Sequence, residues 1–211
     1  MSSGTTGEPK CIERSWQAIE VEIRHYILCF TAAESMTPII ACPVTHSYGL
    51  ICGALVALAR GKTPYIITNL NPKFLIKSLR REPKHLLYSS PTQLDVLLRL
   101  MPDSEQLHGV MTSGSVMPQT TFERMAPKIS HLFQQYGCSE TGCLTINQNM
   151  TEPCALGTPL SHITVVAGES PSSPAEVVVQ SACPQSSPTS AVHTRDLGYF
   201  TTQPDGSRVL P

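Results

Sequence analysis

The chain has 211 residues, 41% of them hydrophobic and 15% charged, which is enough apolar material to bury a core and fits one large domain or one and a half. A formal net charge of -1 gives no broad electrostatic footprint, which excludes nucleic acid and an anionic membrane surface as partners recognised by charge alone. No apolar run approaches a membrane span and the hydroxyl-rich N-terminus is unlike a secretory signal, so a soluble, cytoplasmic protein is expected.

In chain order, SSGTTGEPK (residues 2–10) comes first, a glycine- and hydroxyl-rich stretch ending in lysine. Trp16, Ile19, Ile23, Tyr26, Ile27 and Phe30 then recur at helical spacing, predicting a helix from Ser15 that Thr37-Pro38 closes. IIACPV (39–44) reads as a strand and Ser47 to Ala59 as a helix stopped at Arg60-Gly61. TPYIIT (63–68) is a second strand, and NPKFLIKSLRRE (71–82) a helix with Asn71 as N-cap and Pro72 at its first position. The alternation continues with strand HLLYSS (85–90), a helix from Pro91 to Leu100, strand LHGVMTSG (107–114), helix MPQTTFERMAP (117–127) and strand ISHLFQQYG (129–137).

Such alternation predicts an α/β fold, a largely parallel sheet with flanking helices. After Cys154 helical periodicity vanishes, and HITVVA and AEVVVQSA read as strands between the proline- and serine-rich loops GESPSSPAE (168–176) and CPQSSPTSA (183–191). The expected organisation is an α/β sheet subdomain over 1–153 and a β-rich segment over 154–211. The eight cysteines lie far apart with no C-x-x-C pair, which predicts reduced, mostly buried thiols and no zinc site or disulfide framework.

Three stretches carry chemistry. SSGTTGEPK lacks the spacing of the nucleoside triphosphatase P-loop, since Gly4 and Gly7 are two residues apart and Pro9 precedes Lys10. It reads either as an anion cradle, with hydroxyls of Ser3, Thr5 and Thr6 and the charge of Lys10, or as a Ser/Gly terminus. QQYGCSETG (134–142) sets Tyr136, Ser139 and Glu140 at a strand's carboxyl end, where such sheets bind ligands. There Tyr136 can stack on a base, Ser139 can donate to a phosphate and Glu140 is a hard oxygen ligand suited to magnesium, or the stretch is only a turn with a glutamate. HTRDLGYF (193–200) offers Asp196 to two ribose hydroxyls, or is a plain hairpin turning at Asp205-Gly206.

In this order the stretches resemble the adenylate-forming superfamily of AMP-forming acyl- and aryl-CoA synthetases, luciferases and peptide-synthetase adenylation domains. SSGTTGEPK is similar to its phosphate-loop signature, YGCSE to its Tyr-Gly-x-Thr-Glu motif and TRDLGYF to its Thr-Gly-Asp motif. CPVTHSYGL (42–50) resembles the histidine-bearing segment beside the acyl pocket, and TSGSVMP (112–118) the segment passing the adenine.

The resemblance implies an ATP-dependent ligase. A carboxylic acid attacks the α-phosphorus of ATP, pyrophosphate leaves, and the thiol of CoA or of a carrier protein's phosphopantetheine displaces AMP to form a thioester. It implies Mg2+ at Glu140, phosphate contacts from Ser3, Gly4, Thr5, Thr6, Gly7, Lys10 and Ser139, and adenine near Tyr136 and Ser113, Gly114 and Ser115. Asp196 would hold the ribose, and His46, Ser47 and Gly137 would line the acid pocket. Glu140, His46 and Lys10 are the implied catalytic residues, although a histidine among apolar neighbours is more often a packing residue. Ser47 stands where amino-acid-activating members carry aspartate, and Ala41 to Arg60 holds no acidic residue, which favours an aryl or other ammonium-free acid.

Departures accompany the likeness. Cys11 replaces a glycine after the lysine, Arg195 the glycine of Thr-Gly-Asp, and Ser139 the commoner threonine. The family's N-terminal half and small C-terminal lid domain have no counterpart in the sequence, so this chain is expected to be weakly active or inactive without the remainder of the enzyme, and to leave apolar faces bare. Two rival readings are a non-catalytic nucleotide-binding or interaction module retaining the fold, and an ordinary α/β domain whose glycine loops are only turns.

Overall fold

The computed structural model describes residues 12–181, 191–203 and 208–210. The stretch SSGTTGEPK with Ser3, Gly4, Thr5, Thr6, Gly7 and Lys10, most of CPQSSPTSA, and the Asp205-Gly206 turn lie outside the described residues.

Ser15 starts the first helix, its hydroxyl accepting the Ala18 N–H at 3.2 Å, and α1 runs over Trp16–Cys29. It ends earlier than its apolar pattern predicts, because Phe30 leaves helical geometry (φ -101°, ψ 68°) and Thr37-Pro38 belongs to the next strand. Trp16 is 67% exposed, so the buried stripe begins after it and includes Glu22 beside Tyr26.

The main sheet contains β1 (Thr37–Ile40), β2 (Tyr65–Ile66), β3 (His85–Ser89), β4 (Leu107–Thr112), β5 (Ile129–Cys138), β6 (Gly142–Asn147) and β7 (Thr158–Pro159), in the order β2-β1-β3-β4-β5-β6-β7. The pairings from β2 through β5 are parallel, and those of β5 with β6 and β6 with β7 are antiparallel. Pro38 is tolerated in an inner strand because Thr37 turns its N–H to Lys84 O, so the prolyl nitrogen faces the side where β2 pairs only from Ile39 onward.

Within the helix predicted over Ser47 to Ala59, residues 48 to 55 form a π-helix that continues into α2 (Val56–Ala59). Glycine at position 49 permits its close approach, since a Cβ there would collide with Pro43 O. The remaining helices are α3 (Pro72–Arg81), capped by Asn71 onto the Lys73 N–H at 3.0 Å, α4 (Pro91–Leu100), capped by Ser90, and α5 (Gln119–Met125).

Each sheet face has its own core. Leu75, Leu79, Leu94, Leu97, Leu98 and Met125 from α3, α4 and α5 cover one. Tyr26 and Phe30 at α1, with Cys52, Ala54 and Val56 from the π-helix and α2, cover the other. This is the α/β sheet with helices on both faces that the sequence predicts.

Beyond it, β8 (Ile163–Val166), β9 (Ala175–Ser181) and β10 (Val192–Gly198) form an antiparallel sheet in the order β10-β9-β8, and β11 (Thr201–Thr202) pairs with β12 (Arg208–Val209). They enclose a small core of Val165, Val177, Phe200 and Leu210, against which Tyr136 of the main sheet packs. Among the described cysteines, Cys52 and Cys143 are buried and Cys154 is exposed, with Cys29, Cys42 and Cys138 intermediate.

Candidate active site

Parallel strands deliver their carboxyl ends to one sheet edge, and three of the predicted site segments leave the sheet there. His46 and Ser47 follow β1, Ser113, Gly114 and Ser115 follow β4, and Tyr136 to Glu140 end and follow β5. His46 and Ser47 are half-buried at the start of the π-helix, while Gly114 and Ser115 are exposed and Gly114 takes φ +95°.

Tyr48, which sequence reasoning passed over, ties two of these groups together. Its hydroxyl donates to Met111 O at 2.7 Å and lies 3.3 Å from Ser89 O, so the segment bearing His46 is latched to the ends of β3 and β4. Burial raises the Tyr48 phenol well above its ordinary range, which keeps it a donor.

Strand β5 runs past its last pairing with β4, at Gln134, and continues against β6 alone. A bulge between Tyr136 and Gly137 shifts the register, and a Cβ at Gly137 would collide with Gly142 O, so only glycine fits. The turn Ser139–Glu140–Thr141 closes the hairpin, with Thr141 Oγ1 3.0 Å from Cys138 Sγ and Glu140 exposed to solvent. Its exit, Gly142, has φ +81°.

Asp196 reaches the same region from β10. Tyr136 Oη donates to Asp196 Oδ2 at 2.7 Å. Burial, and then the Asp196 carboxylate, push the Tyr136 phenol well above its ordinary range. Arg195, where the resemblance leads one to expect glycine, holds φ 67°, the left-handed conformation in which glycine is at ease. Glu176 braces it from β9, accepting the Arg195 N–H at 3.0 Å and a hydrogen bond from His193 Nδ1 at 2.7 Å. The His193 contact is the main cause holding the Glu176 carboxyl below its ordinary range.

Two further residues escaped the sequence reading. Glu22 and Arg14 form an ion pair (2.7 Å) beneath Gly142. Glu22 stands three residues after Ile19 and four before Tyr26, and a carboxylate on that apolar stripe was the available signal.

An open, mostly parallel α/β sheet with helices on both faces, followed by a small antiparallel β unit, is the fold of the adenylate-forming enzymes. Residues 1–179 match the family model for AMP-binding enzyme, and the chain belongs to that family.

It is 40% identical over 198 residues to the 3,4-dihydroxybenzoate–[aryl-carrier protein] ligase of Bacillus anthracis, covering 94% of this chain and 47% of that protein. It is 27% identical over 177 residues to an uncharacterized acyl-CoA ligase of Bacillus subtilis (strain 168), covering 78% of this chain and 35% of the relative. The chain therefore spans less than half the length of these curated relatives. In solved structures, its fold matches the O-succinylbenzoate coenzyme A synthetase of Bacillus subtilis, determined in complex with AMP and also with ATP and magnesium ion. In each case the TM-score is 0.77 at 21% identity, covering 99% of this chain, and 47% and 48% of the synthetase chain respectively.

Among the described residues no helix is long and apolar enough to cross a membrane.

Proposed function

We propose that this chain carries the adenylate site of a ligase that activates an aryl carboxylic acid with ATP and transfers the acyl group to a thiol, that of a carrier protein's phosphopantetheine or of CoA. The contact between Tyr136 and Asp196 carries this reading, because it brings two motifs far apart in sequence to the end of β5, beside the turn bearing Glu140. The printed activity of the Bacillus anthracis relative supports an aryl acid and an aryl carrier protein.

ATP and a carboxylate repel one another, and donors at Ser139, Thr5, Thr6 and Lys10 would offset that repulsion. Mg2+, when bound, supplies further positive charge against the phosphates, and Glu140, an exposed carboxylate flanked by the hydroxyls of Ser139 and Thr141, has the hard-oxygen chemistry to hold it. A carboxylate oxygen of the acid forms the new bond to the α-phosphorus as the bond to pyrophosphate breaks. The thiolate then attacks the acyl carbon and AMP departs. Asp196 would hold the ribose, Tyr136 and Ser113 to Ser115 the adenine, and His46, Ser47 and Gly137 the acid. The absence of any acidic residue in 41–60 leaves no partner there for an amino acid's ammonium.

Calorimetric titration of the chain with ATP, with and without Mg2+, tests the reading. Magnesium-dependent binding that Glu140→Ala abolishes without unfolding the chain is the expected result. A well-folded wild-type chain with no affinity for ATP would overturn it.

A further inference from the structure

Glu22 is 1% exposed, yet it carries a carboxylate into the core beneath the Glu140 turn. Its Oε1 accepts the N–H of Cys143 at 2.8 Å, joining α1 to β6 across 121 residues of sequence. Its Oε2 forms an ion pair with Arg14 Nη2 at 2.7 Å, and neither Oε2 nor Arg14 Nη1 has a hydrogen-bond partner among the described residues. On the inner side, Gln135 Nε2 donates to Cys52 Sγ at 3.3 Å while Gln135 Oε1 accepts from Tyr26 Oη at 2.8 Å, so polar groups continue into the core.

A buried ion pair is poor ground for stability, since apolar residues of equal volume often serve as well. What this pair has is location. Cys143 follows Gly142, and Gly142 follows the turn Ser139–Glu140–Thr141. A Cβ at Gly142 would collide with Glu22 Oε2, so the carboxylate fills the space where a side chain would stand. The turn is held at one foot by the contact of Cys138 with Thr141 and at the other by Glu22.

We infer that Glu22, ion-paired with Arg14, is a positioning residue: through the Cys143 N–H it fixes the turn that presents Glu140. The inference rests on the reading of Glu140 given above. A charged acceptor suits the role because hydrogen bonds to a carboxylate are shorter and about twice as strong as neutral ones.

The test combines amide hydrogen exchange with a double-mutant cycle on the whole chain, each variant checked by thermal melting. In Glu22→Ala, exchange at Cys143 should accelerate by about tenfold, while Glu22→Gln, whose amide oxygen still accepts, should hold it within about threefold of wild type. Mg-ATP affinity should fall by about tenfold in Glu22→Ala, recover most of that loss in Glu22→Gln, and show no further loss when Glu22→Ala is added to Glu140→Ala. Affinity for ATP without Mg2+ should change less than about twofold, which a general loosening of the site would not leave intact. Unchanged exchange at Cys143, or additive losses in the cycle, would overturn the inference. A wild-type chain that binds no ATP while Cys143 still loses protection in Glu22→Ala overturns instead the reading of Glu140, and the positioning role with it.

Discussion

Tyr136 donates its phenolic hydrogen to Asp196 at 2.7 Å, joining the end of β5 to the irregular strand β10 across 60 positions of sequence. The contact sets Asp196 at the carboxyl edge of the main sheet rather than on the free surface of the smaller one. Asp196→Ala should weaken ATP binding by about tenfold, the worth of a charge-assisted hydrogen bond. The same variant should bind ATP and its 2′,3′-dideoxy analogue equally, whereas the wild type should prefer ATP; equal affinities in the wild type would remove the ribose assignment.

Arg195 occupies a backbone conformation made for glycine, with φ 67°. A left-handed conformation costs a non-glycine residue about 1 to 2 kcal/mol, partly offset for glycine by its greater freedom when unfolded. Arg195→Gly is therefore expected to be more stable than Arg195→Ala by about 1 kcal/mol in urea denaturation, because only glycine relieves the strain.

Gly137 faces the reverse constraint, since an added Cβ meets the backbone of β6 rather than a side chain that can swing aside. Gly137→Ala should destabilise the protein by about 2 to 4 kcal/mol, in the range of severe steric substitutions. An unaltered urea midpoint would show that the bulge relaxes.

Acidification should weaken the fold through its shielded imidazoles. Burial, then His25 and Arg14, push His162 down to about 4, and burial also lowers His85, whose Nδ1 donates to Glu82 O. As the pH falls below 6.5 the unfolded chain takes up protons that these native rings refuse, so the stability they contribute declines toward pH 4 and is spent below it. For His162 the loss should be about 1 to 2 kcal/mol after allowance for solvent screening, and His162→Gln should flatten the denaturation midpoint over this window.

Much of the sheet was readable because helix boundaries carry local chemistry. Asn71-Pro72 and Ser90-Pro91 start helices through a side-chain cap and a preset φ, and Gly61 ends one in a left-handed turn at φ +69°. Strand β6 was not readable, since Gly142 to Ile146 is buried without alternation and follows directly on a motif that reads as a turn. The π-helix also escaped, because its apolar composition suits either helical pitch. Within the candidate site, Glu140 and Asp196 could be proposed from their motifs. Glu22 shows in the sequence only as a carboxylate on an apolar stripe, and its role, like that of Tyr48, comes from a partner far along the chain, Cys143 and Met111 respectively.

The hairpin of β5 and β6 has a consequence for the order in which the molecule assembles. Each parallel pairing from β1 to β5 requires a crossover through a helix, whereas β5 and β6 close over a three-residue turn. Loop-closure entropy grows with separation, so the hairpin is expected to form early and the parallel pairings later. In chevron measurements, Leu144→Ala should chiefly slow folding, while Leu87→Ala in β3 should chiefly speed unfolding. On this route the segment presenting Glu140 takes shape as a local nucleus, ahead of the neighbouring strands whose ends complete the cleft.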